Sequence, residues 1–169
     1  MIKYTIRLAV PDDVPHLAGI ERAAATIFPP GSIPDEMRDD AVPQELLLES
    51  LENGMLFIAA DSGDNPVGYA LLRIVDGMAL IAQLDVHPDH GKQGLGTALI
   101  RQAASCVKDL GFDMLYLTTF THFSWNAPFY AKLGFASPPE RALPAAMRLI
   151  LHAERAAGLT HRTAMFLKL

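Results

Sequence analysis

A single cysteine, Cys106, is present among the 169 residues. With no second thiol, an internal disulfide is excluded and an apolar core must hold the fold. Cys106 falls on the apolar stripe of an expected helix, which marks it as a core residue. A basic cluster is also missing. The chain carries 14 Lys and Arg against 19 Asp and Glu, a formal charge of -5, so it lacks the patch that neutralises phosphates in a nucleic-acid partner. That charge is compatible with cationic substrates and equally with plain solubility. No apolar run approaches the roughly 20 residues a membrane span needs. The stretch Met1-Ile2-Lys3-Tyr4-Thr5-Ile6-Arg7 alternates and has no apolar signal-peptide centre, so a cytoplasmic protein is expected.

Half of the residues are hydrophobic and a fifth are charged, a globular composition. The length suits one domain over residues 1–169, without repeats or low-complexity segments. Lys3 to Leu8 reads as a strand, and Pro11-Asp12-Asp13 opens a helix that places Val14, Leu17, Ile20, Ala24 and Ile27 near one face. A loop follows, with the acidic residues Asp35, Glu36, Asp39 and Asp40 expected in solvent, and then a helix from Pro43 to Leu51. Three strands come next, Leu56 to Ala60, Val67 to Val75 and Met78 to Val86, joined by short turns that make them antiparallel. Asp76-Gly77 is a hairpin signal.

Leu95, Ala98, Leu99, Ala103, Cys106 and Leu110 recur at helical spacing up to Gly111. Asp113 to Thr119 is a strand reached by a crossover, hence parallel to a neighbour. A short helix from Asn126 to Leu133, an edge or returning strand at Phe135, a helix from Pro144 to Ala157 and a strand from Arg162 to Lys168 complete the chain. The expected class is α/β in the broad sense (α+β), a mixed and mostly antiparallel sheet flanked by helices.

The most informative segment is Leu84-Asp85-Val86-His87-Pro88-Asp89-His90-Gly91-Lys92-Gln93-Gly94-Leu95-Gly96-Thr97, a strand, a glycine-rich loop and a helix start. Glycines let main-chain amides approach an anion, and a helix N-terminus adds about half a positive charge. A Walker loop is excluded, because Gly96 is followed by Thr97 and not by Lys. A dinucleotide fingerprint fails on glycine spacing from either Gly91 or Gly94. His87 and His90 lack further ligands at metal spacing and read as loop residues.

A second constellation follows in Ser124-Trp125-Asn126-Ala127-Pro128-Phe129-Tyr130-Ala131-Lys132-Leu133-Gly134-Phe135. Asn126 and Tyr130 are four apart and share a helix face, while Phe129 and Leu133 share an adjacent one. The loop resembles the coenzyme A pyrophosphate loop of the GNAT superfamily of N-acetyltransferases: Gln or Arg, two residues, Gly, one residue, then Gly or Ala. Gly94 and Gly96 match, whereas Gly91 stands at the first position and leaves Lys92 or Gln93 to supply side-chain contacts. The second constellation resembles the same family's Asn, Phe-Tyr and Leu-Gly-Phe hallmark. The resemblance covers Leu56 to Phe135 well and the first strand and helix weakly.

The resemblance implies a GNAT-like fold and acetyl-CoA as cosubstrate. It implies contacts to that cosubstrate from Leu84, Val86 and His87, from Gly91 to Thr97 (Gly91, Lys92, Gln93, Gly94, Leu95, Gly96 and Thr97), and from Asn126, Phe129 and Tyr130. It places Asn126 on the pantetheine arm, Tyr130 by the thioester sulfur and the acetyl carbonyl near the Val86 amide. Direct attack by the amine then needs neither metal nor acyl-enzyme. A phenol of pKa about 10 is a weak acid toward a thiolate, so Tyr130 acts chiefly as a hydrogen-bond donor.

Many members of the family have a Glu where Gln83 stands, and an amide cannot accept the amine proton. Asp85, on the same strand face, is a candidate base through water, with a solvent-facing Asp as the alternative. Glu21 and His122 are further candidates. With Gln83, Phe28, Phe123 and Trp125 they are the candidates for the acceptor site, the aromatic residues being equally suited to the core. The acceptor is an amine, more readily a small molecule than a protein, with a homodimer left open. A coenzyme A-binding module without catalysis is the competing reading, motivated by Gln83 and Gly91.

Overall fold

The computed structural model describes residues 3–169; Met1 and Ile2, where the alternating N-terminal stretch begins, lie outside the described residues. Strand β1 (Thr5–Leu8) leads through a 3₁₀ turn (Pro11–Asp13) into α1 (Val14–Ala25). Arg7 of β1 pairs with both oxygens of Asp13, Nη1 to Oδ2 at 2.7 Å and Nη2 to Oδ1 at 3.0 Å. Burial works against ionising Asp13, but the guanidinium and the Val10 N–H outweigh it and hold the carboxyl below its ordinary range. The junction between β1 and α1 is thereby pinned. Helix α1 buries Val14, Leu17, Ile20 and Ala24. Ile27, expected on the same face, is 46% exposed, because the helix stops at Ala25 and the chain leaves its 100° rotation.

The segment expected as a loop contains a short helix, α2 (Asp35–Asp39). Pro34 fixes the backbone before it, and Asp35 and Glu36 occupy its first turn, where the helix dipole favours acids. The guanidinium of Arg38 donates to the carbonyls of Phe28 and Pro29 at 3.1 and 2.6 Å. Asp35, Glu36, Asp39 and Asp40 are exposed, as expected. Helix α3 (Gln44–Glu52) follows Pro43, and its Ser50 hydroxyl donates to the Leu72 carbonyl.

Strands β2 (Leu56–Ala60), β3 (Pro66–Val75) and β4 (Met78–Val86) begin and end within a residue of expectation. β1 with β2 and β2 with β3 are antiparallel. Between β3 and β4, Asp76 and Gly77 have φ of 48° and 76°, the left-handed pair of a tight hairpin turn. A core of Val14, Leu17, Ile20, Leu47, Leu56, Ile58, Tyr69 and Leu71 packs these elements together.

Helix α4 (Leu95–Asp109) buries Leu95, Leu99, Ile100, Ala103 and Val107. Its stripe is rotated from the expected one. Cys106 sits at the margin, only half-buried, with Sγ 3.8 Å from the Gly54 carbonyl. Leu110 is 53% exposed, since the helix ends before it and Gly111 turns the chain at φ 89°.

Strand β5 (Met114–Phe120) lies parallel to β4, with Ala79 opposite Leu115. After α5 (Ala127–Lys132) and α6 (Ala145–Ala156), β6 (Arg162–Lys168) pairs antiparallel with β5 from Met114↔Lys168 to Phe120↔Arg162. The strand expected at Phe135 is reduced to one bridge, Ala136 to Phe166. Pro138 and Pro139 follow at once and have no N–H to extend a ladder. The six strands are ordered β1-β2-β3-β4-β5-β6 in a mixed sheet flanked by helices. The chain packs as two compact units, Met1–Arg73 with Ile81–Cys106, and Ile74–Leu80 with Val107–Leu169.

Candidate active site

In the first unit the chemistry gathers at the C-terminal end of β4. Gln83 and Asp85 point to one face of the strand, as period-two geometry requires, and the Gln83 Nε2 donates to Asp85 Oδ2 at 2.7 Å. Asp85 is not the solvent-facing residue of the alternative reading. It is mostly buried, and burial, opposed by the Gln83 bond and reinforced by the charge of Glu21, pushes its carboxyl up to about 7. A buried carboxyl has lost much of its hydration, which disfavours the ionised form.

Glu21, from α1, lies in the same neighbourhood. Its Oε2 accepts the Val42 N–H at 2.9 Å and the Tyr69 hydroxyl at 3.0 Å. Burial raises its carboxyl above the ordinary range although both donors oppose the shift. Tyr69 is fully buried, and burial together with the charges of Asp85 and Glu21 keeps its phenol protonated.

One residue before Tyr69, the backbones of β3 and β4 come together. A Cβ on Gly68 would stand 2.9 Å from the Asp85 carbonyl oxygen, 3.1 Å from Val86 Cγ2 and 3.3 Å from Val86 Cα. Only glycine allows that approach, and the His87 N–H to Val67 carbonyl bond of 2.8 Å closes it. Tyr69 and Gly68 were missed in the sequence. A glycine inside a strand pattern, the mark of close backbone contact, is a signal that could have found Gly68; no local pattern marks Tyr69.

Beyond β4, His87 begins the loop. Its Nδ1 accepts the Asp89 N–H at 3.3 Å, while Tyr4 and His90 are bonded through Oη and Nδ1 at 3.0 Å. Gly91 is extended, with the Pro88 carbonyl 3.0 Å from the place of a Cβ. Lys92 and Gly94 are left-handed, φ 59° and 78°. Lys92 and Gln93 are exposed. The Gly94 carbonyl accepts the Ala98 N–H at 3.0 Å, which makes it the first acceptor of α4. By helix geometry the N–H groups of Leu95, Gly96 and Thr97 have no partner within the helix. Left-handed backbone followed by a helix N-terminus is a main-chain anion receptor.

The second unit holds the other motif. Asn126 precedes α5, and its carbonyl accepts the Tyr130 N–H at 3.0 Å. Asn126 Oδ1 is the one buried side-chain oxygen or nitrogen among the described residues without a hydrogen-bond partner. Such an orphaned acceptor is costly unless a ligand donor meets it. Tyr130 is buried and packs edge-on against Phe129 and Phe135, with centroids at 5.2 and 5.7 Å.

Phe123 stacks on Trp125 at 4.9 Å, and His122 lies 4.0 Å from Phe123 and 4.8 Å from His161. Of these, Phe123 is buried and Trp125 39% exposed. Phe28, after α1 in the first unit, is half-buried. Among the described residues no group of three or more His, Cys, Asp or Glu could hold a metal ion. No helix among them is long and apolar enough to cross a membrane.

Residues 19–135 match the model of the family described as Acetyltransferase (GNAT) family. The chain is 27% identical over 99 residues to the uncharacterized N-acetyltransferase YjcF of Bacillus subtilis (strain 168), an alignment of 59% of this chain and 69% of that protein. Its fold is similar to PaiA N-acetyltransferase from Thermoplasma acidophilum, solved in complex with coenzyme A, with a TM-score of 0.77 at 18% identity over 99% of both chains. It is also similar to N-acetylglutamate synthase from Neisseria gonorrhoeae, solved with coenzyme A and N-acetyl-glutamate, with a TM-score of 0.73 at 22% identity. That match covers 99% of this chain, which spans about a third (35%) of the synthase. The glycine loop, the Asn126 to Phe135 motif and a match over more than half of the sequence agree, and the chain belongs to the acetyltransferase (GNAT) family.

Proposed function

We propose that the chain is an N-acetyltransferase that moves the acetyl group of acetyl-CoA onto a primary amine of a small molecule by direct attack, residues 1–169 acting as one such domain. The observation that supports this reading most is Asp85. Within the compact unit that carries the anion-receptor loop, a carboxyl raised to about 7 and bonded to Gln83 stands at the end of β4. A proton acceptor tuned to neutral pH is what an amine needs to become a nucleophile. Asp85 thus fills the role that Gln83, an amide, cannot.

Acetyl-CoA, when bound, supplies the acetyl group as a thioester whose carbonyl is open to attack. The N–H groups of Gly94, Leu95, Gly96 and Thr97 receive the diphosphate, with Lys92 and Gln93 as side-chain donors in place of the one absent at Gly91. The orphaned Asn126 Oδ1 accepts from an amide of the pantetheine arm, which fits the cosubstrate. Asp85 takes the proton of the amine through water, the Val86 N–H stabilises the developing oxyanion, and the Tyr130 hydroxyl donates to the departing sulfur.

Thiol release from acetyl-CoA across a panel of small amines and peptides tests the reading. Amine-dependent release, fastest with a small amine and rising with pH through about 7, is expected. Binding of acetyl-CoA with no amine-dependent release identifies a coenzyme A-binding module instead.

A further inference from the structure

We propose that Glu21 and Tyr69 are positioning residues for Asp85, the phenol and the Val42 amide clamping one oxygen of Glu21 so that its negative charge stands fixed beside the base. The inference rests on the reading of Asp85 as the proton acceptor. Its geometric ground is a set of contacts that apolar packing does not require. Helix α1 buries Val14, Leu17, Ile20 and Ala24, and among them Glu21 turns a carboxylate inward onto a tyrosine with no exposed surface. Drawing an acid and a phenol out of water costs free energy that two hydrocarbon side chains would not.

Both donors, from β3 and from the segment before α3, converge on Oε2, so the charge has one location. Gly68, beside Tyr69, brings the β3 backbone against Asp85 and Val86. The groups that face Asp85 are Gln83 on its own strand, whose amide N–H favours the ionised carboxylate, and Glu21 from α1, whose charge opposes it. Tyr69 from β3 feels Asp85 and Glu21 and remains a neutral donor. Glu21 in turn is influenced by Arg22 and Asp40. A fixed like charge makes a carboxylate hold a proton more tightly, and hence a better base at neutral pH.

The experiment is the pH profile of kcat/KM with the best amine for the parent, Glu21→Gln, Tyr69→Phe and Asp85→Asn, alongside melting temperatures and acetyl-CoA affinity by calorimetry. Glu21→Gln keeps an oxygen for the Val42 N–H and is expected to move the acid limb toward lower pH by roughly one unit, with affinity unchanged. Tyr69→Phe frees the Glu21 carboxylate and shifts the limb in the same direction by less. Variants that lose melting temperature while the limb stays at the parental pH overturn the proposal, since Glu21 and Tyr69 are then structural only. Asp85→Asn separates the two claims. If it keeps the limb, the base assignment falls, whereas loss of the limb in Asp85→Asn with no shift in Glu21→Gln removes the coupling alone.

Discussion

Replacing Asp85 by Asn should make the protein more stable above neutral pH and leave it almost unchanged in acid. Unfolded, the carboxyl ionises near its ordinary value of 3.8; folded, burial and the neighbouring Glu21 charge delay ionisation to about 7. A folded-state value above the unfolded one means stability that is fully present below about 4 and is lost as pH rises through about 7. The interval of about three pH units is worth about 4 kcal/mol at 1.4 kcal/mol per unit. Asn cannot ionise, and its amide oxygen can still accept from Gln83. Relative to the parent, the variant should therefore gain up to about 4 kcal/mol between pH 4 and pH 8. Urea unfolding at several pH values, followed by the fluorescence of Trp125, the single tryptophan, measures it. Parallel stability curves for the two proteins across this range would refute the reasoning, because Asp85 would then ionise as it does in water. In the same variant turnover should fall by about 10² to 10⁴.

Four further substitutions probe the remaining parts of the site. Gly68→Ala puts a Cβ 2.9 Å from the Asp85 carbonyl oxygen and should cost about 1–3 kcal/mol in urea unfolding, with a loss in kcat as Val86 shifts; an unchanged protein would show that the strands have room. Gly96→Glu brings a negative charge and bulk to the first turn of α4 and should abolish measurable acetyl-CoA binding in calorimetry while the fold survives. Lys92→Ala should cost little if main-chain donors dominate, and a large loss would assign the contact absent at Gly91 to that side chain. Tyr130→Phe keeps the ring against Phe129 and Phe135 and should retain melting temperature and acetyl-CoA affinity while kcat falls about 10² to 10⁴; parental turnover would make Tyr130 a packing residue.

Much of the fold could be read from the sequence where periodicity was strong. β2, β4 and β6 end at the residues expected, and α1 shows its stripe up to Ala24. The misreadings occur where an element ends or rotates by tertiary choice. Ile27 and Leu110 continue an apolar period past the last helical residue, and Cys106 lies on the margin because the buried row runs through Ile100 and Val107. Local pattern cannot report which of two adjacent rows faces the sheet. The loop was visible because its glycines fall within six residues of sequence, Gly91 to Gly96, and the left-handed Gly94 fits that reading. The clamp of Glu21 by Tyr69 and Val42 was not visible, since it joins residues 48 and 21 positions apart. Nor could the strand alternation that put Asp85 beside Gln83 say that the face was buried.

The central claim is transfer of acetyl from acetyl-CoA to an amine without a covalent enzyme intermediate, and a mass balance by mass spectrometry tests it most directly. Protein, acetyl-CoA and the best amine of the panel are mixed with the protein in excess, and free coenzyme A, acetylated amine and the intact protein are quantified together. One acetylated amine for each coenzyme A released, with the protein mass unchanged at every time point, is the predicted result. Coenzyme A released without acetylated amine, or an acetyl group retained on the protein, would contradict it.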